Sequence, residues 1–288
     1  MTSTSESQPK SASAVRRAAV ITHGKPATIG PALEQLARLA ADKGVELLLP
    51  GEEVAKHGTD ADAEPDLESA DVAVVLGGDG TMLRALQRFL GTTVPVIGVN
   101  FGRVGFLASV PSDELESGIG RVFAGDYRVV KLSTLDVEVD GTRSTAVNDV
   151  VALSAVRGRM VKLGWRVGGE DLGVLPCDGM ICATPSGSTA YNLSNGGPVL
   201  VRGLDAMALT FIAPHSLHAR PLVVSRGLEL EISNETGDVD VSVIVDGHSL
   251  AEIGGDGRIT VRLGDRHALL ATLPEVTFFR RYRETFES

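Results

Sequence analysis

Cysteine is almost absent: 288 residues carry only Cys177 and Cys182. Two cysteines cannot build a disulfide framework. They do not form a CxxC pair, and no His/Cys cluster has the spacing of a zinc site. Aromatic residues make up 4% of the chain, which argues against base-stacking platforms for nucleic acid. Acids outnumber bases 37 to 27, for a formal net charge of −10. Bulk charge therefore does not suit the chain to coat nucleic acid or an anionic membrane, and an anionic ligand needs a local site. No apolar run approaches the ~20 residues of a membrane span. The N-terminal MTSTSESQPKSASAVRR lacks the apolar stretch of a signal peptide. The expectation is a cytoplasmic protein with neither nucleic acid nor membrane as partner. Two ligand fingerprints are also missing: no GxxxxGKS/T loop, and no GxGxxG between a strand and a helix.

The length suits two domains, and 43% apolar with 22% charged residues is the balance of a globular protein. Residues 1–16 are Ser-rich and polar and read as a disordered tail. Residues 17–130 alternate short apolar runs with helical spacing. Ala18 to Ile21, Val45 to Leu49, Asp71 to Leu76 and Val94 to Val99 read as strands. Leu33, Leu36, Leu39 and Ala40, then Met82, Leu83, Leu86, Phe89 and Leu90, fall on helix faces. This rhythm implies a Rossmann-like α/β domain built on a parallel sheet. Residues 131–265 hold short alternating runs separated by Gly and Asp turns, the pattern of a β-rich, sandwich-like domain with one helix near Gly187. Residues 266–288 form a closing segment with a helix from Thr277 to Phe286, whose aromatic stripe reads as a packing face.

Three segments can carry chemistry. Gly77-Gly78-Asp79-Gly80-Thr81 follows a buried strand and opens a helix. Its glycines let backbone N–H groups approach an oxyanion, and a helix N-terminus favours phosphate. Asp79 is then placed to accept a proton from an attacking hydroxyl or to help hold a metal, and Arg84 lies one turn on, within reach of a phosphate. A plain Gly-rich turn with Asp79 as helix N-cap fits the spacing equally well. Asn148-Asp149 can grip vicinal hydroxyls, or simply mark a strand end. Thr184 to Pro198, after Asp178-Gly179, is dense in Ser, Gly and Thr, and offers hydroxyls and backbone donors with Tyr191 beside them. It is too long and polar to be a helix cap alone.

Taken together, these segments resemble the NAD kinase family. That family's GGDGT, Asn-Glu or Asn-Asp pair and TPTGSTAY…SAGGP segment correspond to Gly77–Thr81, Asn148-Asp149, and Thr184–Tyr191 with Ser194–Pro198. Asn100 to Leu107 is similar to its NxGxLGFL loop, and Val245-Asp246-Gly247-His248 to a late Asp-Gly turn. The order and spacing cover roughly residues 17 to 286. Ser186 stands for the usual Thr and Asn195 for the usual Ala.

The resemblance implies transfer of a phosphoryl group from ATP or polyphosphate to the adenosine ribose 2′-hydroxyl of NAD, giving NADP, with Mg²⁺ on the donor phosphates. It implies Asp79 as general base with Gly80 in the glycine nest, and Asn148 and Asp149 on the ribose. Ser186, Thr189, Ala190, Tyr191 and Ser194 would line the adenosine pocket. Asp178 would bond a base or amide nitrogen, Arg84 and Arg159 would meet phosphates, and His248 would close the pocket. It also implies a homodimer or homotetramer, with ligand between the domains and residues 266–288 returning to the first domain. Two other readings stay open: a lipid kinase of the diacylglycerol-kinase type, which shares GGDGT, and a non-catalytic nucleotide sensor. Pro176, two before Asp178, is neither basic nor Gly, so it decides nothing between NAD and NADH.

Overall fold

The computed structural model describes residues 13–23, 26–57, 65–102 and 105–287. Contacts divide the chain into two units, one running to Lys131 and resuming at Ala268, the other spanning Leu132–His267. Most of the expected tail, residues 1–12, lies outside the described residues. Near its end, however, Val15 is buried and donates its N–H to the Phe123 carbonyl, so the ordered chain reaches back into the segment expected to be tail.

The first unit alternates strand and helix: β1 (Arg17–Thr22), α1 (Pro26–Lys43), β2 (Glu46–Leu48), α2 (Gly51–His57), β3 (Val72–Gly77), α3 (Asp79–Arg88), β4 (Val96–Asn100), β5 (Val110–Pro111), α4 (Leu115–Phe123) and β6 (Arg128–Leu132). The sheet order is β2-β1-β3-β4, then the late strand Ala268–Thr272, then β6. The pairings of β1 with β2 and β3, and of β3 with β4, are parallel. All six residues of β3 are buried, as expected of a strand covered on both faces. Leu36 and Ile29 of α1 and Ile119 and Val122 of α4 close one core over it. Because Ala268–Thr272 lies inside this sheet, a fragment cut near residue 130 would lack an interior strand.

The second unit is antiparallel throughout its described pairings. Its strands are β7 (Leu135–Val139), β8 (Thr142–Ala146), β9 (Asp149–Ser154), β10 (Val161–Val167), β11 (Glu170–Cys177), β12 (Gly179–Ala183), β13 (Ala206–Ile212), β14 (Leu222–Ser225), β15 (Leu230–Asn234), β16 (Val241–Val245), β17 (His248–Ile253) and β18 (Arg258–Leu263). They form two six-stranded sheets, ordered β11-β10-β15-β18-β7-β8 and β14-β13-β12-β9-β16-β17. Strands such as β7 and β16 alternate buried with part-exposed residues. Their inward side chains, among them Leu135, Val137, Ile259, Met180, Leu209 and Val243, share one core. The sandwich-like expectation holds for this reason: period-2 patterning gives each sheet one apolar face, and two such faces bury each other. Among the described residues of this unit, helical structure is confined to a 3-10 turn at Gly187–Thr189 and the single α-helical turn α5 (Tyr191–Ser194), which lies against β12 and β13.

The chain then returns to the first unit as β19 (Ala268–Thr272) and α6 (Phe278–Phe286). Thr277 caps α6 by accepting the Arg280 N–H. Phe278 and Phe286 each pack on Phe106, with ring centroids 5.9 Å apart, whereas Phe279 stays exposed. Among the described residues no helix is long and apolar enough to cross a membrane.

Candidate functional site

In the first unit the parallel register sets Thr22 against Leu76 and Gly77 against Asn100. Three strands therefore end side by side, and the loops leaving such carboxyl ends form the ligand crevice of an α/β sheet. Gly78, not Asp79, is the N-cap of α3, and it makes no side-chain cap bond. The N-cap alternative for Asp79 is thereby corrected. As first residue of the helix, Asp79 turns its carboxylate across to the next loop. Oδ2 accepts the N–H of Phe106 at 2.8 Å, and Oδ1 accepts those of Leu107 at 3.1 Å and Ala108 at 3.2 Å. A side chain at Gly105 would run into this carboxylate, so glycine is what lets the loop close onto it. Of about four acceptor positions on the carboxylate, one on Oδ2 is left. Gly80 has open space beside it. Arg84 is exposed and donates to the Thr22 carbonyl at 3.3 Å. Arg103 and Val104 of the Asn100–Leu107 loop lie outside the described residues.

Residues 51–68 form a polar stretch that carries no motif and suits a loop or short helix. Residues 58–64 lie outside the described residues. Glu53 of α2 is fully buried. It accepts the Thr22 N–H at 3.0 Å, the Thr22 hydroxyl, and Lys56 Nζ at 2.9 Å. His57 Nε2 lies 2.9 Å from the same hydroxyl. This cluster pins the carboxyl end of β1, next to the carbonyl that Arg84 holds. Its only sequence signal is Glu52-Glu53 ahead of Lys56-His57, which also reads as an ordinary helix with charges suited to its dipole.

In the second unit Asp149 opens β9 and pairs with Ala183, the last residue of β12. The Thr184–Pro198 segment leaves from that point. Thr184 N–H donates to the Asn148 carbonyl at 2.8 Å and Thr184 Oγ1 to the Val147 carbonyl at 2.7 Å. A Cβ at Gly187 would strike the Asn148 backbone, so the two segments touch main chain to main chain. The hydroxyls expected to face ligand divide into two groups. Those of Thr184 and Ser188, with the buried Asn192 amide, bind within the protein: Asn192 joins the Ser188 and Pro198 carbonyls and the Thr210 hydroxyl. Asn192, inside the stretch expected to line the adenosine pocket, is thus the residue that shapes this loop from within. Ser186 Oγ and Asn148 Oδ1, by contrast, are buried with no partner. Thr189 is half-buried and donates to the Ser186 carbonyl. Ala190, Tyr191 and Ser194 are exposed along the same segment.

Asp149 itself is 7% exposed. Burial pushes its carboxyl up to about 7, and the neighbouring Asp246 carboxylate adds to the rise. His248 is exposed and faces Val245 across the turn that carries Asp246. Asp178 and Arg159 do not join this group within the unit. Asp178 precedes Gly179 at the opposite end of β12, bonding Ile212 and Ser154 through its backbone. Arg159 follows the far end of β9, is exposed, and pairs with Asp238 at 2.8 Å. A six-residue strand such as β9 separates its ends by about 17 Å.

Family signatures match this chain twice: the ATP-NAD kinase N-terminal domain over residues 30–127 and the ATP-NAD kinase C-terminal domain over residues 147–273. The chain belongs to the NAD kinase family. The NAD kinase of Heliobacterium modesticaldum is 35% identical over 266 residues, covering 89% of this chain and 94% of that one. The NAD kinase of Gemmatimonas aurantiaca is 38% identical over 219 residues, 74% of this chain and 76% of its own. Among solved structures, an NAD kinase from Archaeoglobus fulgidus in complex with ATP superposes with a TM-score of 0.73 at 28% identity, over 94% of this chain and 97% of that one. Yeast NADH kinase complexed with NADH shares the fold, with a TM-score of 0.83 at 22% identity over 95% of this chain and 88% of its own. The lipid-kinase and nucleotide-sensor readings find no support among these NAD kinase relatives.

Proposed function

We propose that the protein transfers the terminal phosphoryl group of ATP, or of polyphosphate, to the adenosine ribose 2′-hydroxyl of NAD, producing NADP. The observation that carries this reading is the pair of buried, unpartnered polar atoms, Asn148 Oδ1 and Ser186 Oγ, on two segments that touch main chain to main chain. Buried polar atoms without partners are costly, and a nucleoside's hydroxyls and amino group are donors of the right kind to satisfy them. The 2′-hydroxyl gives its proton to the free position on Asp79 Oδ2. The ribose oxygen attacks the terminal phosphorus, and the bond to the leaving phosphate breaks. The three amides that hold Asp79 fix its direction, and the α3 N-terminus with Gly78 and Gly80 favours the donor's negative charge.

Arg84, exposed and tethered at Thr22, meets donor phosphate in this reading. Among the described residues no three His, Cys, Asp or Glu side chains converge as metal ligands. In this reading the divalent cation enters on the donor phosphates, the usual way Mg²⁺ is held in phosphoryl transfer, with Asp79 as the protein group that can help hold it. Thr189, Ala190, Tyr191, Ser194 and His248 flank the adenosine. In a homodimer or homotetramer, Asp178 and Arg159 would serve the site of a neighbouring copy. Two free, buried cysteines suit a reducing cytoplasm.

The test is incubation with NAD, ATP and Mg²⁺, followed by a NADP-specific dehydrogenase. NADP formation is expected, and it should vanish with Asp79→Asn. A polyphosphate arm identifies the donor. No NADP with either donor would reject the reading.

A further inference from the structure

Two turns of the second unit share the same local chemistry. Asp140-Gly141 joins β7 to β8, and Asp246-Gly247 joins β16 to β17. Both residues of each turn have positive φ, 47° and 81° in the first, 48° and 83° in the second. This is the type I′ geometry that Asp-Gly favours. The turn asks nothing more of the aspartate, and Asp140 is exposed. Asp246 is 7% exposed. Its Oδ2 accepts the Val147 N–H at 2.7 Å, and its Oδ1 accepts the N–H groups of Asn148 at 2.7 Å and Asp149 at 2.9 Å. Its own N–H donates to the Asp149 carbonyl at 3.0 Å.

The reason lies in strand lengths. β9 pairs with β16 from Val150, opposite Val245, and there β16 turns back. The amides of Val147 to Asp149 run past the end of that neighbour, and buried N–H groups need acceptors. One side chain supplies all three. On the other side, Thr184 holds the carbonyls of Val147 and Asn148. The Asn148 peptide is therefore fixed on both sides, and it is this residue whose Oδ1 is buried and unpartnered.

The geometry points to Asp246 as a positioning residue for the nucleotide acceptor: its carboxylate grips three successive amides and so aims Asn148 and Asp149, without touching substrate itself. This rests on the proposed assignment of Asn148 and Asp149 to the NAD ribose. It accounts for the burial of one turn aspartate and the exposure of the other.

The test compares Asp246→Asn and Asp246→Gly with Asp140→Asn and Asn148→Ala. Asn and Gly both suit a type I′ turn. Asn puts an NH₂ against backbone donors, and Gly removes the acceptor. Circular dichroism and melting report folding, and steady-state kinetics report KM for NAD and for ATP separately. The expected result is a folded Asp246 variant with KM for NAD raised tenfold or more and KM for ATP within twofold of wild type. Asp140→Asn should change neither. If Asn148→Ala raises KM for NAD but both folded Asp246 variants leave it within twofold, Asp246 does not position the pair, and the ribose assignment survives. If Asn148→Ala leaves KM for NAD unchanged, that assignment fails and the positioning role falls with it. If neither Asp246 variant folds, or if KM for ATP rises equally, the residue serves the fold at large and the inference is overturned.

Discussion

The Arg281 guanidinium donates to the Ser109 carbonyl at 2.7 Å, one residue beyond the three amides that Asp79 accepts. The last helix of the chain thus holds the far side of the loop that the GGDGT aspartate holds from the near side. Phe278 and Phe286, from the same helix, pack on Phe106 between them. Arg281 is largely buried, and burial lowers its pKa, while the Asp79 carboxylate is among the charges that act against this. The aromatic stripe is a packing face, but what it packs against is the loop that orients the proposed base.

Removing this hold should therefore reach catalysis. Arg281→Ala is expected to cost about 1–3 kcal/mol of stability, since it leaves a buried carbonyl without its donor. It should lower kcat several-fold with KM for NAD little changed. Melting and steady-state kinetics check this, and an unchanged kcat would confine the helix to a structural role.

Asp79→Asn should fold and bind NAD but lose turnover by ~10²–10⁴-fold, the usual cost of removing a general base. The amide also turns a donor toward the loop amides, so a melting point a few degrees lower is expected. Initial rates and NAD titration decide the matter. A rate within threefold of wild type would show that Asp79 only positions the loop.

Asn148→Ala and Asp149→Ala should raise KM for NAD more than KM for ATP, because the proposed reading sets both side chains on the acceptor ribose. A rise in KM for ATP alone would assign the pair to the donor instead.

Asp149 also makes a stability prediction. Its carboxyl titrates near 3.8 in the unfolded chain and about 7 in the folded one. Between those values folding takes up a proton, so stability from this group is fully present below pH ~4 and is lost as pH rises through ~7. Above pH 7 a charged Asp149 sits buried beside Asp246 at a cost of up to about 4 kcal/mol. Asp149→Asn should therefore raise the melting temperature of the ligand-free protein at pH 8.5, with much less gain at pH 5. An equal gain at both values would remove the burial of charge as the cause.

Much of this protein was legible along the chain, because its elements follow from local periodicity. The unbroken Val72–Gly77 run makes a strand buried on both faces. Alternation in β7 and β16 makes half-buried strands, and the glycines of 77–80 mark a strand-to-helix turn. These features depend on neighbours a few residues apart, and so did the family resemblance, which rests on short motifs in order.

Contacts between distant residues were decided only by tertiary structure. Nothing near Asp246 indicates that it will receive the amides of residues 147–149, and nothing near Asp79 points to those of 106–108. The hydroxyls of Thr184 and Ser186 are equivalent in sequence, yet the first is spent on the backbone and the second is left free. Asp178 lies near the Ser/Thr loop in sequence but a full strand length from it in space. That residues 266–288 return to the first unit was expected from the resemblance, but the place of Ala268–Thr272 inside the sheet, between β4 and β6, was not. In each case the outcome turns on which unpaired polar group or apolar face another segment brings alongside, and that pairing is encoded by the whole chain at once.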